Sequence, residues 1–155
     1  MTTRNITIAV EQCDIADCSH AERVLIRRAQ EAGKRAYAPY SHFNVGAAAL
    51  LANGEIVIGC NQENAAFPSG LCAERVALFA AGVAFPDVPV KAIALAAQDA
   101  QGFCEQPVYP CGACRQVMLE TEHRSGIPLK VIMAGATTVE IVQSSKDLLP
   151  LQFEL

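Results

Sequence analysis

The chain has 155 residues, 52% of them hydrophobic, and a formal net charge of −4, with a pI of about 5.3. That length suits one domain with its own core. An acidic chain with no basic run argues against a polynucleotide substrate, because such binding rests largely on cations against phosphates. No apolar stretch approaches the roughly 18 residues of a membrane span, and the first residues begin no secretory signal. These features predict a cytoplasmic enzyme acting on a small, nearly uncharged ligand. The mean hydropathy of +0.23 points to apolar surface buried between subunits.

In chain order, Ile6, Ile8 and Val10 alternate with polar or small residues and predict a short half-buried strand. Residues 1–18 are read as an N-terminal extension carrying an edge strand, and 19–155 as a single catalytic domain. Ser19 with Glu22 makes a capping box that opens a helix to about Ala36. Two β-type runs, Asn44–Leu51 and Glu55–Gln62, flank Ala52-Asn53-Gly54, a hairpin signal. After a loop holding Pro68 and Gly70, a helical pattern runs from Cys72 to Ala81. Val90–Ala97 reads as a buried strand and Cys111 to about Glu122 as a helix. Leu129–Ala134 and Thr138–Gln143 read as strands, and a short helix starts at Ser145 or Asp147. This order predicts an α/β fold: a three-layer α/β/α sandwich around a mixed sheet of about five strands.

Seven cysteines are an odd number without the even spacing of a disulfide scaffold. Pro110-Cys111-Gly112-Ala113-Cys114 is a C-x-x-C at a helix start. Alone it fits a redox dithiol, two buried cysteines, or half of a metal site. Cys72, at another helix start, supplies a third thiolate, and a water as fourth ligand would give the open coordination of catalytic zinc. A structural site would draw a fourth ligand from Cys60 or Cys104. Glu74, two residues after Cys72, stands close enough to exchange protons with such a water without binding the metal. Cys13, Cys18 and His20 are a weaker metal-binding grouping; a strand followed by a loop accounts for them equally.

Four segments together carry a family resemblance: Tyr37-Ala-Pro-Tyr-Ser-His-Phe-Asn-Val-Gly-Ala-Ala48, Gly59-Cys-Asn-Gln-Glu-Asn-Ala65, Cys72-Ala-Glu-Arg75 and Pro110-Cys-Gly-Ala-Cys-Arg-Gln-Val117. Over residues 20 to 153 the chain resembles the short, homotetrameric, zinc-dependent type of cytidine deaminase. The resemblance implies hydrolysis of cytidine or deoxycytidine to the uridine product and ammonia in pyrimidine salvage. Zinc-activated hydroxide would attack C4 with Glu74 as proton shuttle. It implies one Zn²⁺ per subunit on Cys72, Cys111 and Cys114, and a homotetramer with shared active sites. It further implies that Asn61 and Glu63 hold the 3′-hydroxyl and that Phe43 packs on the pyrimidine. Ala73 would contact the base through its backbone, while Ala65 and Phe153 would approach from neighbouring subunits. Arg75 would donate to the sulfurs and offset the net charge of −1 that three thiolates give to Zn²⁺. Phe67 stands where the family usually has Tyr, so any hydrogen bond from that hydroxyl is absent. Rival readings are a deaminase of an aminopyrimidine antibiotic, a non-catalytic zinc module and a polynucleotide-editing enzyme.

Overall fold

A computed structural model describes residues 1–153. The strands are β1 (Glu11–Asp14), β2 (Asn44–Leu51), β3 (Ile56–Cys60), β4 (Val90–Asp99), β5 (Gly102–Phe103), β6 (Lys130–Ala134) and β7 (Thr138–Val142). The helices are α1 (His20–Gly33), α2 (Ala73–Ala84) and α3 (Gly112–Ser125), and single 3₁₀ turns occur at Ile15–Asp17, Phe67–Ser69 and Ser145–Leu148. The sheet order is β1-β7-β6-β4-β2-β3, with β5 on β4. Only β4 and β6 run parallel, joined through α3, so the sheet is mixed.

The α/β/α layering follows from side-chain alternation along the strands. Ala47, Ala49 and Leu51 of β2 face one side and pack with Ala73, Ala77 and Leu78 of α2 and Met118 of α3. Ala48, between them, faces the other side and packs with Leu25, Ile26 and Ala29 of α1. Small residues let the layers approach closely. A Cβ at Gly59 would lie 2.5 Å from both the Ala73 carbonyl oxygen and the Ala77 nitrogen. Only a bare backbone at that point lets the first turn of α2 settle onto β3.

The five longer strands are those expected, and two short ones extend the sheet to seven. No strand forms at Ile6–Val10; residues 1–10 are exposed and outside the sheet. The edge strand instead lies at Glu11–Asp14, where pairing with β7 is available. Residues 11–14 show no apolar alternation, and β5 is too short to show any, so periodicity could reveal neither. The capping box at Ser19 forms as expected, whereas α1 ends at Gly33 rather than near Ala36.

Glu122, near the end of α3, is a buried carboxylate that fixes the helix to the rest of the domain. It accepts hydrogen bonds from Leu129 N at 3.0 Å, Ser145 N at 2.9 Å, Ser145 Oγ at 2.8 Å and Ser144 Oγ at 2.7 Å. Burial alone would raise its pKa, but the donors from Leu129, Ser144 and Ser145 outweigh that and hold it below 4.5. Titrating lower when folded than when unfolded, it stabilises fully above the unfolded value, and the contribution is lost as pH falls through the folded one. Glu122→Ala is expected to cost about 3 kcal/mol at pH 7, since buried donors lose their acceptor. The cost should shrink progressively in acid, as denaturant melts at pH 7 and pH 4 would show.

Candidate metal centre and its cavity

The N-termini of α2 and α3 lie side by side, and each N-cap residue is a cysteine. Cys72 and Cys111 both have extended backbones, and neither side chain caps its own helix. Their sulfurs turn toward each other instead, at 3.8 Å, and Cys114 Sγ lies 3.5 Å from Cys111 Sγ. Tetrahedral zinc with thiolates at about 2.3 Å would separate its sulfurs by about 3.8 Å. The observed spacing therefore fits zinc. All three sulfurs lie within 4.8 Å of one another, and among the described residues no His, Cys, Asp or Glu joins them as a fourth ligand. Neither Cys60 nor Cys104 is in the cluster, nor do Cys13, Cys18 and His20 form a second one. Cys13 and Cys18 do meet, at 3.7 Å between sulfurs.

The electrostatics favour thiolate at Cys72. A hydrogen bond from Cys114, followed by donation from Arg75, brings the Cys72 thiol down to about 5. The shared hydrogen bond and burial push Cys114 the other way. Arg75 Nη2 donates to Cys72 Sγ at 3.6 Å, placing a cation at the edge of the sulfur cluster. Arg115 braces the segment ahead of Cys111. Its Nε donates to the Pro110 carbonyl at 2.8 Å and its Nη1 to the Leu148 carbonyl at 3.0 Å.

Beside the sulfurs lies a cavity of about 290 Å³ whose walls include Cys72, Cys111, Glu74, Phe43, Asn61 and Glu63. Glu74 is only 5% exposed, and burial raises its pKa above the usual carboxylate range, with the adjacent Cys72 charge adding to the effect. Asn61 and Glu63 follow directly on β3, where the chain leaves the sheet. Asn61 Oδ1 accepts from Val45 N at 2.8 Å and its Nδ2 donates to the Phe43 carbonyl at 2.9 Å, tying it to β2. Glu63 Oε2 accepts from Tyr40 N at 2.8 Å and Ser41 N at 3.2 Å, while the Ser41 hydroxyl donates to Oε1. These donors, Ser41 foremost, lower the Glu63 pKa.

The other expected residues fall outside this cavity. Ala73 is fully buried in the first turn of α2. Ala65 is exposed on the loop after β3. Phe67 is exposed, its ring edge-on to Tyr40 at 5.9 Å. Phe153 is exposed, with its carbonyl accepting from Gln116 Nε2 at 3.4 Å. Two polar wall residues, Ser41 and Tyr109, were not picked out from the sequence. Ser41 has a signal, lying two positions before Phe43 in the Tyr37–Ala48 segment. Tyr109, whose hydroxyl donates to Glu140 at 2.9 Å, is marked only by its place ahead of Pro110.

A three-thiolate cluster at paired helix starts, open on the fourth side and with a buried carboxylate beside it, defines a zinc-dependent hydrolytic enzyme on an α/β/α scaffold. The family profile described as the cytidine and deoxycytidylate deaminase zinc-binding region matches residues 19–128, and the chain belongs to that family. It is 47% identical over 98 residues to the cytidine deaminase of Halalkalibacterium halodurans, a match covering 63% of this chain and 70% of that protein. With the cytidine deaminase of Sporosarcina psychrophila it shares 49% identity over 96 residues, covering 62% of this chain and 66% of that one. The crystal structure of cytidine deaminase from Burkholderia pseudomallei superposes with a TM-score of 0.74 at 40% identity, covering 88% of this chain and 100% of that one. That from Mycobacterium tuberculosis gives 0.66 at 34% identity, covering 88% and 100%.

Proposed function

We propose that this chain hydrolyses cytidine or deoxycytidine to the uridine product and ammonia. One observation carries the reading: the buried carboxylate of Glu74 shares a small cavity with zinc-binding sulfurs and with the Asn61–Glu63 pair. A nucleoside has a ring to place near the first and a sugar to place near the second. The net charge of −4 suits a neutral nucleoside better than a nucleic acid. No helix among the described residues is long and apolar enough to cross a membrane.

Cys72, Cys111 and Cys114 would hold the zinc, and Arg75 would offset the excess negative charge of their thiolates. Zinc there supplies Lewis-acid activation, lowering the pKa of a water from 15.7 towards about 7. Glu74 accepts the proton of the attacking water and delivers it to N3, which makes C4 more electrophilic. As the C4–O bond forms, C4 becomes tetrahedral. Glu74 then carries the remaining hydroxyl proton to the amino nitrogen, the C4–N bond breaks, and ammonia leaves. Phe43 packs on the pyrimidine and the Ala73 backbone contacts its edge. Asn61 retains one free N–H and Glu63 one free acceptor position, a pair that a single 3′-hydroxyl satisfies in both directions.

The working unit in this reading is a homotetramer with shared active sites, acting in pyrimidine salvage in the cytoplasm. Exposed Phe79 and Val83 on α2 offer apolar surface for subunit packing. Ala65 and Phe153, exposed and not among the residues lining their own chain's cavity, are available to a neighbour's. The test is metal analysis beside a cytidine-to-uridine absorbance assay and ammonia determination. One zinc per chain, with one ammonia for each uridine formed, is expected. Stoichiometric zinc without turnover of either nucleoside would sink the proposal.

A further inference from the structure

We propose that Ser41 is a positioning residue that makes the site selective for a nucleoside bearing a 3′-hydroxyl, by fixing the one acceptor position of Glu63 left for a ligand. The inference rests on the reading of Glu63 given above and goes beyond it. An ionised carboxylate offers about four lone-pair sites, two on each oxygen. On Oε2 both are taken, by the backbone N–H groups of Tyr40 and Ser41. On Oε1 one is taken, by the Ser41 hydroxyl. The remaining site is therefore on the oxygen whose position Ser41 sets.

The direction of that hydroxyl is also fixed. Ser41 Oγ lies 3.1 Å from Phe43 N, a group that can only donate, so the serine accepts there and its proton goes to Glu63. One hydroxyl thus bridges the sugar-binding carboxylate and the backbone of the residue that packs on the base. The turn that permits this is unusual. His42, between Ser41 and Phe43, has a φ of 54°, the left-handed region that non-glycine residues seldom enter. Its N–H donates to the Ala38 carbonyl at 3.0 Å. With the turn held in this way, Ser41 supplies the single side-chain donor among the three groups that hold Glu63. Without that hydroxyl, Oε1 is free to turn to water and away from the cavity that Glu63 shares with Asn61.

The experiment compares 2′-deoxycytidine with 2′,3′-dideoxycytidine, which differ only in the 3′-oxygen. Ser41→Ala should lower kcat/KM for deoxycytidine about tenfold and for the dideoxy compound less than about twofold, with full zinc content. Ser41→Thr, which keeps the hydroxyl, should return deoxycytidine turnover to within about threefold of wild type. Adding Ser41→Ala to Glu63→Ala should cause no further loss on deoxycytidine, because the two act as one unit. Equal losses on both substrates, or Thr no better than Ala, would overturn the inference. If Glu63→Ala discriminates between the substrates and Ser41→Ala does not, this inference alone falls. If Glu63→Ala does not discriminate either, the reading of Glu63 falls and takes this one with it. Should Ser41→Ala fail to fold, Ser41→Cys, similar in volume but a weak donor, is judged by the same ratio.

Discussion

Glu74→Gln is expected to keep its full zinc content and its fold while losing activity by a factor of at least about 10². The amide matches the carboxylate in size, so the tightly packed start of α2 against Gly59 is undisturbed. The sulfur cluster contains no carboxylate, so metal retention does not depend on residue 74. What disappears is the basic site. A glutamine cannot accept the proton of the attacking water, and both proton deliveries, to N3 and to the amino nitrogen, depend on that first step. The near-complete burial of Glu74 leaves little room for bulk water to substitute. Metal analysis and steady-state turnover on one preparation separate the outcomes. Near-normal turnover would remove Glu74 from the mechanism, whereas loss of zinc would mean that the carboxylate holds the cluster together.

The chemistry was more legible in the sequence than the architecture at its margins. Cys72, Cys111 and Cys114 could be singled out because a metal site needs particular atoms at particular spacings, and the structure brings their sulfurs together with Glu74 in the adjoining cavity wall. The capping box at Ser19 and the alternation along β2 were readable because each is a local rule. β1 was not, since a four-residue edge strand exists through its partner β7 and carries no pattern of its own. The misplaced expectation at Ile6–Val10 has the same origin: alternating apolar residues show that a strand is possible, and pairing decides whether it forms. Ser41 escaped notice for a related reason. Its role depends on Glu63, which is 22 residues away, and on a left-handed backbone at His42 that no composition rule anticipates. Ala65 and Phe153 are not among the residues lining the cavity, and their roles were readable only through the family resemblance.

Cys111→Ala is expected to lose zinc, activity and stability together. Cys111 at the start of α3 meets both Cys72, at the start of α2, and Cys114, and its thiolate would be one of three holding the zinc. Two thiolates cannot hold zinc as three do. Metal binding also contributes folding free energy, because the assembled site does not exist in the unfolded chain. Turnover should fall by at least about 10³, further than in Glu74→Gln, since the activated water itself is lost. The melting temperature should drop by several degrees, and wild type stripped by a chelator should melt near the same temperature. That agreement would locate the instability in the missing ion and not in the missing side chain, which is exposed and fills no core space. Stoichiometric zinc in Cys111→Ala would show that another group completes the site and that the three-thiolate assignment is wrong.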